Sequence, residues 1–181
     1  MDFHTHNLQA PAGTAIVNLP REAILNPSGF TLTPGGLYSA GIHPWWTEDV
    51  SEQEIDRLVE GLQLWVRNPQ VVAIGECGYD RLKGGPIELQ REAFEWQARL
   101  SDQLRKPLTV HCVRAFDLLL ASSKKLHPIM RWTVHGFRGK PALAEQLLAA
   151  GMDLSFGKKR NQQSYDITPP LRRHEETDED F

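Results

Sequence analysis

Short apolar runs alternating with amphipathic stretches constrain this chain more than any other feature. "VVAIGE" (71–76), "PLTVHC" (107–112), "RWTVHGF" (131–137) and "DLSF" (153–156) are rich in apolar and β-branched residues. That is the pattern of short parallel strands buried on both faces. "AIVNL" (15–19) and "LYSAGIH" (37–43) are weaker examples, and the opening segment (2–6) and one around 171–177 bring the count to about eight strands.

The helices between them have readable ends. Ser51 and Glu54 form a capping-box pattern, with Ile55, Leu58, Val59, Leu62 and Val66 behind it at helical spacing. Pro86 starts a second helix with Leu89, Ala93, Trp96, Leu100 and Leu104 on one face. Ala115, Leu118, Leu119 and Leu126 mark a third, and a fourth opens at Pro141 and closes at Gly151.

Alternation of this kind implies a parallel α/β sheet, and about eight strands imply a TIM-like (β/α)8 barrel. At 181 residues that barrel has to be short and distorted. Little chain separates the first two strands, where Pro11 and Gly13 fall, so a loop is expected there. The first and last helices are expected to be reduced or missing. The length suits one domain over 1–181.

A net charge of −3 gives no overall basic character, so any phosphate-binding site must be local. No apolar run is long enough to span a membrane, and the opening residues do not read as a secretory signal. Cys77 and Cys112 lie far apart without CxxC spacing and read as free thiols in a reducing cytoplasm.

The strands share a second property. Several end in a side chain of metal-ligand type: His4 and His6 on the first, Glu76 on the fourth, His111 on the fifth, His135 on the sixth and Asp178 on the last. The strand ends of a barrel converge on one mouth. Residues i and i+2 of a strand share a face, so His4 and His6 project together, with Thr5 opposite. Six nitrogen and oxygen ligands exceed what one tetrahedral ion needs. They suit two ions sharing a carboxylate, and Glu76 sits on a middle strand from which it can bridge. Without a cysteine ligand, Zn, Mn, Mg and Fe are all compatible.

Each residue also has a plainer reading. A lone His-x-His is usually a surface pair, a lone strand histidine a hydrogen-bonded core residue, and a lone glutamate an ion-pair partner. The recurrence argues otherwise, because ionisable groups at the ends of buried strands are costly unless paired or metal-bound. His43, in "GIHP", is expected at the same mouth as a substrate-facing or structural group. His127 and His174 read as loop and surface residues. The thiols each follow a ligand and are turned away by the pleat, as packing residues rather than nucleophiles.

The ordered set "DFHTHN", "GIHPWW", "AIGECGYD", "TVHCVRAF", "VHGF", "LSFG" and "EETDED" covers nearly the whole chain. In it the sequence resembles the TatD-type metal-dependent deoxyribonucleases of the amidohydrolase superfamily. The resemblance implies a distorted TIM barrel with a two-metal site. His4, His6, Glu76 and Asp178 would hold one ion, and Glu76, His111 and His135 the other. It further implies phosphodiester hydrolysis, commonly exonucleolytic on DNA, by a hydroxide that two divalent ions (Zn, Mg or Mn) activate. Asp178 and Glu76 are then the catalytic carboxylates, Asp178 also taking the nucleophile's proton, with His43 and Arg114 on the phosphate.

Three positions depart from the family pattern. His43-Pro44-Trp45-Trp46 stands where His-Pro-His is usual, Val113-Arg114 where the arginine comes one residue earlier, and Glu179-Asp180 where Pro-Tyr is usual. The metal shell is intact while the substrate-facing shell has drifted, so hydrolysis is a firmer expectation than DNA. The run Lys158-Lys159-Arg160 either guides a nucleic-acid backbone or is a solvated loop, and Trp45 and Trp46 either stack on bases or pack on the barrel. The rival functions are a superfamily hydrolase of a small amide, ester or lactone, a PHP-type phosphoesterase, and a non-catalytic metal-binding barrel. No membrane and no obligate protein partner are expected.

Overall fold

The structure, a computed structural model, describes residues 1–178. The six apolar runs and the two end segments form eight strands among the described residues: β1 (Asp2–Thr5), β2 (Ala15–Asn18), β3 (Leu37–Ala40), β4 (Val71–Asp80), β5 (Leu108–Val113), β6 (Trp132–Val134), β7 (Asp153–Phe156) and β8 (Arg173–Glu175). Every sequential pair is parallel, giving one sheet in the order β1 to β8. The sheet curls into a nearly closed barrel. No backbone ladder joins β8 to β1 among the described residues. Side chains span that seam instead: Asp2 Oδ1 accepts from the Thr177 amide at 3.1 Å and Asp2 Oδ2 from the Thr177 hydroxyl at 2.5 Å.

Six helices follow the strands: α1 (Arg21–Leu25), α2 (Glu52–Trp65), α3 (Ile87–Leu104), α4 (Phe116–Leu126), α5 (Pro141–Ala149) and α6 (Gln162–Ile167). As expected, turns and no helix link β1 to β2. Ser51 caps α2, its hydroxyl accepting from the Glu54 amide at 3.2 Å. Leu58 and Leu62 of α2 are buried in the hydrophobic core, each stabilising the fold by about 2 kcal/mol.

The structure also adds to the sequence reading. The short α1 and α6 lie in segments for which the sequence pattern marks no element. The fourth strand does not end at Glu76 but runs on to Asp80. And α3 buries Gln90, Phe94, Gln97, Ala98 and Ser101 rather than the face through Leu89, Ala93 and Trp96, which lines an apolar groove against α2. The physical reason is that two glutamine amides dock on backbone edges. Gln97 accepts from the Ile42 amide at 2.7 Å and donates to its carbonyl at 3.1 Å. Gln90 does the same at Asp80, at 2.8 and 3.0 Å. A single helix face thereby fixes the ends of β3 and β4.

The extension of β4 depends on glycine. At Gly78 (φ 148°) a Cβ would stand 1.9 Å from the His111 carbonyl, and at Gly75 (φ 139°) 2.4 Å from that of Thr109. Only glycine lets β4 lie this close to β5.

Candidate metal centre

The six expected ligands meet at the C-terminal mouth of the barrel. His4 Nε2 lies 3.4 Å from Glu76 Oε2 and 3.5 Å from Asp178 Oδ1; His6 Nε2 lies 3.0 and 3.2 Å from the same atoms. On the other carboxylate oxygen, Glu76 Oε1, converge His135 Nε2 at 2.6 Å, His111 Nδ1 at 3.5 Å and His43 Nε2 at 3.6 Å. Glu76 thus presents one oxygen to each cluster. The Asn18 side chain holds it in place by accepting from the Glu76 amide at 2.9 Å.

Atoms bound to one ion at about 2.1 Å stand about 3.4 Å apart in tetrahedral geometry, so most of these spacings fit a divalent ion. The rings also need a partner. His4 is fully buried, and neither of its nitrogens makes a hydrogen bond. Four groups of described residues can hold an ion: His4, His6 and Asp178; His4, Glu76 and His135; His43, Glu76 and His111; and His135, Glu176 and Asp178.

The cluster is electrostatically coupled. Burial pushes the Glu76 carboxyl up, but the His135, His4 and His111 rings outweigh it and hold the group well below the usual carboxylate range. Asp178 is likewise depressed, burial being overcome by His4 and His6. Hydrogen bonds to Asp178 and Glu76 raise His6 to about 9. His43 moves the other way, lowered by burial.

Two carboxylates were not singled out from the sequence. Asp80 is buried, and its Oδ2 lies 3.0 Å from His111 Nε2. Glu176 is buried 3.5 Å from His135 Nδ1, and both its oxygens lack hydrogen-bond partners. Asp80 was within reach of sequence reasoning, lying an even number of residues beyond Glu76 and so on the same strand face. Glu176 belongs to an acidic run that resembles a solvated tail.

The mouth is an open trough of about 600 Å³ lined by Asn18, Arg21, His43, Trp45, Glu76 and Asp178, among others. A second depression of about 360 Å³ adjoins it through His111, His135 and Asp178, with Arg114 and Arg138 on its wall. Arg114 is therefore at the rim and exposed. Trp45 is 42% exposed at the trough, while Trp46 is partly buried against the core. In the 158–160 run, Arg160 stacks 3.9 Å from the Tyr165 ring.

His174 is partly exposed, as expected of a surface residue, but it is also packed. It lies in β8, stacked on Phe3 with ring centroids 4.5 Å apart and 3.3 Å from Asp153. Both cysteines are free. Cys77 is in the core and Cys112 is partly buried; burial pushes both thiols up, Cys112 to about 12, which leaves them unreactive. Among the described residues no helix is long and apolar enough to cross a membrane. The departure at Glu179-Asp180 lies outside the described residues.

The sequence model of the TatD related DNase family matches residues 32–178. The chain is 35% identical over 132 residues to the 3'-5' ssDNA/RNA exonuclease TatD of Erwinia billingiae, covering 70% of this chain and 48% of that protein. It is 34% identical over 120 residues to the human 3'-5' RNA nuclease TATDN2, covering 65% of this chain and 15% of that one. The chain therefore spans about half of the bacterial relative and a small part of the human one. In fold it is similar to YjjV, a TatD homologue from Escherichia coli, with a TM-score of 0.78 at 23% identity over 98% of this chain and 78% of that one. It also resembles a TatD family hydrolase from Entamoeba histolytica, with a TM-score of 0.70 at 23% identity over 91% of this chain and 60% of that one.

Proposed function

The chain belongs to the TatD related DNase family, and from that premise we propose that it is a divalent-metal-dependent hydrolase cleaving phosphodiester bonds in nucleic-acid strands. The observation that carries this reading is the pairing of a bridging Glu76, with one oxygen toward each histidine cluster, and a mouth open as a trough rather than closed as a pocket. A trough admits a polymer; a small amide, ester or lactone is better matched by an enclosed cavity.

His4, His6, Glu76 and Asp178 would hold one ion, and Glu76, His111 and His135 a second; Zn, Mg and Mn all suit this donor set. When bound, such ions supply Lewis acidity at phosphorus and lower the pKa of a water molecule.

The protein's own groups do the rest. Asp178 keeps Oδ1 among the histidines, while Oδ2, 4.0 Å from His135 Nδ1, accepts the proton of the attacking water. His43 Nε2 faces Glu76 Oε1 and donates to a phosphate oxygen. Arg114 and Arg21, on the walls of the two depressions, steady the flanking phosphates. The exposed face of Trp45 offers a base a stacking surface. The two unpaired thiols favour the cytoplasm as location.

The test is turnover of bis-p-nitrophenyl phosphate and of single-stranded DNA and RNA, set beside a panel of carboxylic esters and lactones. His111→Ala and Asp178→Asn are each expected to remove most phosphodiesterase activity, as is chelation. Full activity in either variant or in metal-stripped protein overturns the reading, and turnover confined to esters or lactones reassigns the chain to small-molecule hydrolysis.

A further inference from the structure

We propose that Asp80 and Trp45 are positioning residues that fix the adjacent rings of His43 and His111 in opposite tautomers, so that His111 presents a lone pair to a metal ion and His43 presents a proton to the substrate. This deepens the metal-dependent reading above and rests on it.

By distance alone the two histidines are interchangeable. Their ring centroids are 4.5 Å apart, and both reach Glu76 Oε1, at 3.6 Å from His43 Nε2 and 3.5 Å from His111 Nδ1. Together with Glu76 they even form one of the groups able to hold an ion. Their remaining nitrogens separate them.

His111 Nε2 lies 3.0 Å from Asp80 Oδ2. An ionised carboxylate only accepts, so the ring proton sits on Nε2. Nδ1, the atom that faces Glu76, is left with its lone pair. His43 Nδ1 instead receives the backbone N–H of Trp45 at 3.1 Å. A backbone amide only donates, so Nδ1 is the acceptor and the proton of the neutral ring sits on Nε2. That nitrogen is the one facing Glu76 and the trough. A ring in this state cannot ligate an ion through Nε2, but it can donate there.

Trp45 takes part in both assignments. Its indole Nε1 donates to Asp80 Oδ2 at 2.7 Å, the same oxygen that holds His111. Asp80 Oδ1 is meanwhile held by the Leu82 and Lys83 amides at 2.7 and 3.1 Å, and the Asp80 backbone by Gln90. The carboxylate is thus saturated with donors and buried, which makes it a fixed reference for the His111 ring.

The experiment is a calorimetric Zn²⁺ titration of the metal-stripped full chain, with no substrate present. Asp80→Asn, whose amide can donate as well as accept, is expected to weaken Zn²⁺ binding 10- to 100-fold, the usual cost of losing a carboxylate behind a ligand histidine. Trp45→Phe keeps the ring and the backbone donor but loses the indole N–H, so a few-fold loss is expected. His43→Gln is expected to bind Zn²⁺ within about twofold of the unaltered protein. In steady-state assays the kcat of Asp80→Asn recovers at saturating Zn²⁺, and that of His43→Gln does not.

Because Asp80→Asn can fail to fold, the ¹⁵N resonances of the histidine rings in the unaltered, Zn²⁺-loaded protein give a second reading. His43 is expected to carry its proton on Nε2, and His111 to carry it on Nε2 with a metal-shifted Nδ1. Unchanged Zn²⁺ affinity in Asp80→Asn, a tenfold loss in His43→Gln, or a metal-shifted His43 nitrogen overturns the proposal. None of the Zn²⁺ or NMR readouts depends on phosphodiester turnover, so a failed substrate assignment leaves them standing.

Discussion

Gly78 shows how much a single side chain can disturb here. A Cβ at this position would stand 1.9 Å from the His111 carbonyl, so β4 and β5 must part to admit it. Gly78→Ala is expected to destabilise the fold by about 3 kcal/mol and to weaken Zn²⁺ binding, read by urea unfolding and calorimetry. Gly151 is the control. Its φ is 87° but nothing lies within 4 Å of the added carbon, so Gly151→Ala should cost only the left-handed strain of about 1–2 kcal/mol and leave metal binding alone. At this scale the sequence was informative where chemistry and context conflicted. His4, Glu76, His111 and His135 stood out because ionisable groups sat among or beside buried apolar residues. Gln90 and Gln97 did not, because an amide on a mostly polar helix looks solvated until the backbone it docks on is known. Asp80 was missed because the fourth strand was expected to end at Glu76, whereas Gly75 and Gly78 let it continue to Asp80.

Elements were legible in proportion to their length. Runs of apolar residues located six of the strands, two more polar segments at the ends completed the count, and caps, prolines and apolar spacing located α2 to α5. The five-residue α1 and six-residue α6 are too short to show a helical period. The apolar stripe of α3 was legible, but not what it faces, because Leu89, Ala93 and Trp96 pack toward α2 rather than toward the strands. At the other end of the barrel, β6, β7 and β8 are tied together by one carboxylate. Asp153 receives Arg131 at 3.2 Å, Arg172 at 3.0 Å and His174 at 3.3 Å. Burial pushes Asp153 up, but His174, Arg172 and Arg131 outweigh it and hold the carboxyl below its usual range. A depressed carboxyl stabilises the fold above the ordinary aspartate pKa, and the contribution disappears as pH falls through the depressed folded value. Asp153→Asn should therefore lower stability by about 2 kcal/mol near neutrality and flatten the acid limb of a Tm-against-pH curve. An unchanged acid limb would show that the tie is solvated.

For the whole molecule, the barrel's curl was legible because His4 and Asp178 can share an ion only if the two ends of the sheet meet, although Asp178 lies three residues beyond β8 and not on the last strand as expected. The seam itself was not, because a side-chain closure through Asp2 and Thr177 leaves no periodic trace. Asp2→Ala removes both hydrogen bonds and is expected to lower Tm by several degrees, with a larger fall in chelated protein, where His4, His6 and Asp178 lose their shared ion as well. Saturation with an ion at 100 times its Kd should add about 2.7 kcal/mol, and chelation should remove it. A Tm indifferent to chelator would mean that the three residues hold no ion.

The seam also governs when the centre can exist. Asp2 and Thr177 are separated by 175 positions, and the ligands beside them by nearly as many. On a ribosome β1 emerges well before Asp178 is made and then waits, its two histidines without their distant carboxylate, while the strands between are synthesised. The first metal group therefore cannot be completed until Asp178 has been made, so His4 and His6 wait on the synthesis of the whole barrel between them and the partner that gives them a purpose.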